Sequence, residues 1–300
     1  SVLSFGYNWM KNKYEQHILT PLTLNSVKVD PTPSFEAILQ QETNQRIKDQ
    51  YTSHLIFGLD YTYIFNNQNI RLTKDFFYFK ANVQSSGNLL SLFINTAAIR
   101  TVDNYHEIYG IRYAQYIRFA FDFRYFKYVY GENQIATRFM MGAGIPYGNS
   151  NDMPFEKSFY AGGSNSMRGW QFRELGPGTF NNPDNLNIER IGDIQLEFNL
   201  EYRFPVYRFI KGAIFTDIGN IWTMKDNETF TGGQFKFDTF YKQLAADAGV
   251  GIRLDFSFFL VRLDAAAPIV NPAYPEGDRW RISKLRFTDF ILNFGIGYPF

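Results

Sequence analysis

The side chain with the most pointed chemistry is Arg168, in the stretch Tyr160–Gly178, YAGGSNSMRGWQFRELGPG. Gly162 and Gly163 open the stretch, a Pro-Gly turn closes it, and small polar residues flank the tripeptide Arg168–Gly169–Trp170. Glycines permit positive φ and close backbone approach, so this reads as a long but ordered loop that presents Arg168 to a partner. A guanidinium stays charged at any ordinary pH and engages carboxylates through two parallel hydrogen bonds. Its chemistry is therefore pairing, not proton transfer. The competing reading is a Gly-rich surface loop with a solvated arginine, and the surrounding chain must decide between them.

Other chemistries find little support. His17, His54 and His106 fall in separate strands or loops, and none has a serine motif nearby to act as a nucleophile. His106 sits beside Glu107 and reads as a strand-end residue. For His106 that reading outweighs catalysis. Cysteine is absent, which removes disulfides and thiolate metal sites. Asn181–Asn187 is rich in Asn and Asp but lacks EF-hand spacing and reads as a solvated loop, so no metal and no cofactor are expected. The net charge is +1 with basic residues scattered, and no nucleic-acid partner is expected.

The elements that must position Arg168 follow from composition and periodicity. The 300 residues include 32 Phe and 20 Tyr, yet mean hydropathy is −0.28. No run approaches the roughly 18 apolar residues of a membrane-spanning helix. The most apolar region, Ala245–Val270, is broken by Asp247, Arg253, Asp255, Arg262 and Asp264. Strict alternation takes the place of long apolar runs. Between Gly192 and Phe204, Ile194, Leu196, Phe198, Leu200, Tyr202 and Phe204 oppose Asp193, Gln195, Glu197, Asn199, Glu201 and Arg203. In the next such segment Ala248, Val250, Ile252, Leu254 and Phe256 oppose Asp247, Gly249, Gly251, Arg253 and Asp255. The final segment sets Phe290, Leu292, Phe294, Ile296, Tyr298 and Phe300 on one face, with Asn293, Gly295 and Gly297 opposite. A soluble sandwich also alternates. Long strands that set charges against a broad aromatic face fit a transmembrane β-barrel better.

Pattern and turn signals give about twelve strands, near 1–10, 16–29, 54–66, 70–84, 88–100, 110–127, 134–148, 190–204, 209–220, 244–256, 258–268 and 288–300. Short connections such as Tyr128–Asn133 and Pro205–Arg208 alternate with long ones, as in outer-membrane barrels. Within Thr32–Lys48, Pro33 suits a first helical position and Phe35, Ile38 and Leu39 share a face. A short amphipathic helix and a solvated turn are both compatible with it. No signal peptide is visible, since Ser1 opens a strand pattern.

The RGW loop, the segment FTDIGNIW (Phe215–Trp222) and the terminal strand together resemble the barrel of the BamA/TamA superfamily of outer-membrane assembly proteins. The form GGSNSMRGW…LGPG is closer to the TamA-like branch. The resemblance implies that the loop folds into the barrel and that Arg168 pairs with acidic residues of the wall, here Asp217 and Glu201. Alternation turns Glu201 inward independently; the alternative is that both acids only line a wet lumen. Asn293, Gly295, Tyr298 and Phe300 fit the polar-x-Gly-x-x-hydrophobic-x-hydrophobic ending of outer-membrane barrels.

The family's barrels have sixteen strands preceded by POTRA domains. The expectation is therefore an all-β antiparallel transmembrane barrel of which residues 1–300 form the C-terminal part, Ser1 opening about the fifth strand. A closed twelve-stranded barrel is the alternative. The resemblance further implies insertion, assembly or translocation of proteins at the bacterial outer membrane through a seam beside the last strand. Gly295 and Gly297 would weaken that strand, or merely relieve crowding inside it. Expected partners are outer-membrane lipid, unfolded outer-membrane protein clients and a periplasmic or inner-membrane component. A passive porin and a two-partner secretion pore are the alternative functions.

Overall fold

A computed structural model of the chain describes residues 1–33, 36, 52–69, 73–93, 99–102, 105–181, 190–226, 230–256 and 258–300. Most of Thr32–Lys48, where a helix or a turn is expected, and nearly all of Asn181–Asn187 lie outside them. The described strands are β1 (Val2–Met10), β2 (Glu15–Val27), β3 (His54–Asn66), β4 (Phe76–Ser86), β5 (Ile99–Val102), β6 (Tyr105–Ile108), β7 (Ile111–Ala114), β8 (Tyr116–Tyr130), β9 (Asn133–Pro146), β10 (Ile194–Tyr207), β11 (Ile210–Trp222), β12 (Ala245–Asp255), β13 (Leu260–Val270) and β14 (Ile291–Ile296). The chain forms two compact units, residues 1–64, 81–120 and 143–158, and residues 65–80, 121–142 and 159–300. Strands β3, β4, β8 and β9 contribute to both.

In the first unit β1 and β2 form a hairpin, from Val2 opposite Asn25 to Met10 opposite Gln16, and β2 also pairs β3. Two sequence expectations are corrected here. The segment 88–100 is not one strand. Gly87 adopts φ 79°, and Asn88–Ser91 then forms a single helical turn before β5. Nor is 110–127 continuous. Tyr109 and Gly110, both at positive φ, turn β6 into β7, which pairs β3 in parallel before the chain breaks at Gln115. The Gln115 backbone N–H is taken by the Ser150 hydroxyl at 2.8 Å, so it is satisfied outside any strand ladder. Ile56, Ala114, Tyr116 and Met153 close over one another as a small core.

The second unit is an antiparallel series in which β9 through β14 pair in chain order. Its burial is inverted relative to a water-soluble sheet. On β10, Glu197, Asn199, Glu201 and Arg203 are buried while Phe198, Leu200 and Tyr202 are exposed. On β12, Asp247 and Arg253 are completely buried, but Val250 and Ile252 are 58% and 52% exposed. Water would reward the opposite arrangement by roughly 25 cal/mol for each Å² of apolar surface. An apolar solvent outside and hydrogen-bond partners inside are the conditions under which this pattern is stable.

The last strand is shorter than its sequence pattern suggests. β14 stops at Ile296 because Gly297 takes φ 87°. Leu292, Phe294 and Ile296 stand on the exposed face, as alternation requires. Tyr298 and Phe300 do not continue it. Phe300 is buried against Phe76, Phe126 and Ala136, and the Arg203 guanidinium lies 4.0 Å from the Tyr298 ring centre. Gly297 is thus a turn residue past the strand end, not a weak point within it. Among the described residues β14 pairs with β13 alone and β1 with β2 alone, so no closing pair is present.

Candidate functional site: an arginine loop seated on the strand wall

The chain from Tyr160 to Gly178 forms almost no regular structure, yet nearly every turn of it is fixed. Gly162 and Gly163 take φ 107° and 93°, values that side chains disfavour. A Cβ at Gly162 would also lie 2.1 Å from the Gln171 carbonyl oxygen. The Gly163 N–H donates to the Trp170 carbonyl at 2.8 Å, and the Trp170 N–H to the Met167 carbonyl at 3.2 Å, which folds 163–170 into a tight hairpin-like arm. Met167, Trp170 and Leu175 are buried and supply its apolar anchors. Gly169 is needed for approach: a Cβ there would meet the Asp247 Cβ at 2.5 Å. Its N–H donates to Asp247 Oδ2 at 2.8 Å.

This arm delivers Arg168 to the wall. Arg168 Nε donates to Asp217 Oδ2 at 2.8 Å and Nη2 donates to Oδ1 at 2.9 Å, a two-pronged pairing. Nη1 donates to Glu201 Oε2 at 2.6 Å, and the Arg168 backbone N–H reaches Asp217 Oδ2 at 3.2 Å. The guanidinium also lies over Phe215, its Cζ 3.3 Å from the ring centre. Arg168 is 1% exposed and both acids 0%. The structure therefore brings Arg168, Glu201 and Asp217 together, with Gly162, Gly163, Gly169 and Trp170 shaping the arm. A lysine has a single point charge and could not make this forked contact.

The seat is larger than the sequence reading suggested. Asp217 lies opposite Asn199 on β10 and opposite Asp247 on β12, and Asn199 Nδ2 donates to it at 3.0 Å. Glu201 also accepts from Arg203 Nε at 2.8 Å and lies 3.1 Å from Arg253 Nη2. Asp264 accepts from Arg253 and lies 3.7 Å from Arg168 Nη1. Glu197 accepts from the Ser166 hydroxyl, and Arg138 Nη1 donates to the Asn165 carbonyl at 3.0 Å. Guanidinium and carboxylate groups thus interleave over β9 to β13. Alternation already placed Glu197, Asn199, Asp247 and Arg253 on the polar face. What it lacked was any sign that one loop draws them together.

The C-terminal residues separate into two groups. Asn293 and Gly295 face the seat: Asn293 Nδ2 donates to the Arg168 carbonyl at 2.9 Å, and a Cβ at Gly295 would lie 2.4 Å from Arg262 Nε. Gly297, Tyr298 and Phe300 turn away from the strand, as described above.

A strand wall that is apolar outside and charged inside, with a loop anchored to its inner face by one buried arginine, defines an outer-membrane β-barrel architecture. The chain belongs to the Omp85 superfamily: its whole length, residues 1–300, matches the Omp85 superfamily domain. Over 97 residues it is 31% identical to outer membrane protein assembly factor BamA of Neisseria meningitidis serogroup B, covering 29% of this chain and 12% of that protein. Its fold is similar to the crystal structure of BamA from Haemophilus ducreyi lacking POTRA domains 1–3, with TM-score 0.59 and 15% identity over 98% of this chain and 53% of that one. It is also similar to CdiB from Acinetobacter baumannii, with TM-score 0.51 and 11% identity over 98% of this chain and 41% of that one. The chain thus spans about half the length, or less, of these relatives. It is an outer-membrane protein.

Proposed function

We propose that this chain takes part in the insertion, assembly or translocation of proteins at the bacterial outer membrane, through a wall that opens sideways at β14. The observation that carries this reading is the seated arginine loop. A passive pore needs only a polar lumen, whereas here one loop is tied to β10, β11 and β13 by buried charge pairs and to β9 and β12 by hydrogen bonds. Such a brace holds the wall rigid while a neighbouring strand moves. β14 suits the moving part, being six residues long with β13 as its strand partner. A strand edge that accepts another strand is ordinarily an aggregation hazard; in this reading it templates a client strand.

The protein would act without catalysis, cofactor or nucleotide, drawing on the folding free energy of its clients. Its partners would be unfolded barrel proteins, the surrounding lipid, and a periplasmic or inner-membrane component reached through further domains. The TamA-like form of the loop motif favours a role with selected clients. Likeness to CdiB supports export of a protein substrate as the second reading.

Depletion of the full-length protein in its native host, followed by quantitative proteomics of the outer membrane, tests the proposal. Broad loss of barrels supports a general assembly factor, and loss of a few large envelope proteins supports the selective role. Loss of a secreted partner with intact barrels supports export. An unchanged proteome with altered solute uptake would make the chain a channel and end the assembly reading.

A further inference from the structure

The polar-x-Gly element at the end of the chain has a role inside this molecule that its reading as a barrel ending does not supply. Asn293 and Gly295 lie on the inward face of β14, opposite Asp264 and Arg262 respectively. The Asn293 side chain has a partner outside the strand pair. Its Nδ2 passes to the arginine loop and donates to the backbone carbonyl of Arg168 at 2.9 Å. Gly295 acts by what it lacks. The Arg262 side chain occupies the space its Cβ would need, with Nε, Cζ and Nη2 all within 3.0 Å of that position. From there Arg262 Nη2 donates to the side chain of Asn165, three residues before Arg168 in the same loop. Two separate lines of contact therefore join β14 to the loop, one direct and one through β13.

We infer that Asn293 and Gly295 are positioning residues for the arginine loop, so that seating of the loop and pairing of β14 with β13 are a single coupled equilibrium. The loop's charges are satisfied by β10 to β13, but its outward-turned carbonyl at Arg168 is satisfied by β14. When β14 leaves, that carbonyl loses its partner and Arg262 loses the surface that directs it to Asn165. An unpaired buried polar group is costly, so each event promotes the other. Reciprocity is required of any such linkage: whatever loop release does to β14, loss of β14 does equally to the loop. The inference rests on these contacts alone and stands whether or not the chain assembles proteins.

The absence of cysteine from these 300 residues makes a direct test available. Leu263 and Phe294 are cross-strand partners with outward side chains, so Leu263→Cys with Phe294→Cys ties β14 to β13 without touching the loop. Hydrogen exchange is then read at the Gly163 and Gly169 amides, in the full-length protein in lipid nanodiscs. Oxidation of the pair is expected to slow these amides, and Asn293→Ala to speed them roughly fivefold to tenfold, the loss of one partly buried hydrogen bond. Arg168→Ala is expected to speed β14 amides by a comparable factor. Oxidation that slows β14 while leaving the Gly163 and Gly169 amides unchanged overturns the coupling, as does an Asn293→Ala effect confined to β14. Should Asn293→Ala fail to fold, the oxidised and reduced forms of the cysteine pair still decide the matter.

Discussion

The pairing of β10 with β11 and that of β13 with β14 lie in the same sheet but are built differently. The first runs from Ile194 opposite Trp222 to Tyr207 opposite Ile210, and its inner face is crossed by Arg168, Glu201 and Asp217. The second runs only from Val261 opposite Ile296 to Ala266 opposite Ile291. Both present apolar side chains outward. They differ in where their stability comes from: the β10–β11 wall has a long ladder and charge pairs sealed from solvent, whereas β14 has a short ladder, one direct contact with a loop and one relayed through Arg262. The lesson is that one sheet can hold a fixed wall and a removable strand side by side, and that a loop can touch both.

The largest expected effect falls on the wall. Arg168→Ala leaves Asp217 buried without its counter-charge and takes one of three guanidinium groups from Glu201, and it should cost about 3–5 kcal/mol. Urea unfolding in detergent micelles measures it, and protease cutting within Tyr160–Gly178 should appear at the same time. Arg168→Lys should recover little of the loss, because the fork to Asp217 needs a planar guanidinium. Full stability in Arg168→Ala would remove the distinction between the two regions.

The comparison is sharpened by placing the same residue on both outer faces. Val250→Arg on β12 and Leu292→Arg on β14 should each cost up to about 2–4 kcal/mol if the side chain lies near the bilayer midplane. Unfolding in lipid vesicles reads both. A large penalty at Val250 with none at Leu292 would mean that β14 does not face hydrocarbon.

A smaller effect is expected from Gly169→Ala, whose added methyl would press on Asp247. Overpacking of this kind costs about 1–3 kcal/mol, and the loop should loosen while the β10–β11 ladder keeps its slow hydrogen exchange.

The smallest effect belongs to the first unit. His54 Nε2 and Glu156 Oε1 are 2.8 Å apart. Burial raises the Glu156 carboxyl, but the hydrogen bond and charge of His54 outweigh it and hold the group below its ordinary 4.5. A depressed folded value means that this stabilisation is complete above about pH 4.5 and fades as pH falls through the lower folded value. Glu156→Gln should flatten that acid limb by less than about 1 kcal/mol, leaving the arginine seat unchanged. Unfolding midpoints measured from pH 3 to 7 check it.

Much of the wall was legible because a strand's side chains alternate with a period of two whatever the rest of the chain does. Glu201 and Arg203 had to share a face, and so did Asp247 and Arg253. The departures have equally local causes that the pattern did not weigh. Gly87 and Gly297 both carry strand-like neighbours, and both adopt left-handed backbone that ends the strand. The parallel pairing of β7 with β3 joins segments more than fifty residues apart, and nothing in either segment encodes it.

By itself the sequence determined that this protein would be an inverted sheet, with aromatic residues outward and charges inward, and that a glycine-shaped loop would carry an arginine. These are short-range properties, set by alternation and by the φ values that glycine alone takes easily. Only the tertiary structure decided which groups meet at that arginine. Asn293 is 125 residues from Arg168 and Asp247 is 78 from Gly169, and their meeting depends on strand register and on how deeply the loop is seated. Register and loop depth are fixed by the whole set of pairings at once, so no window of sequence contains them.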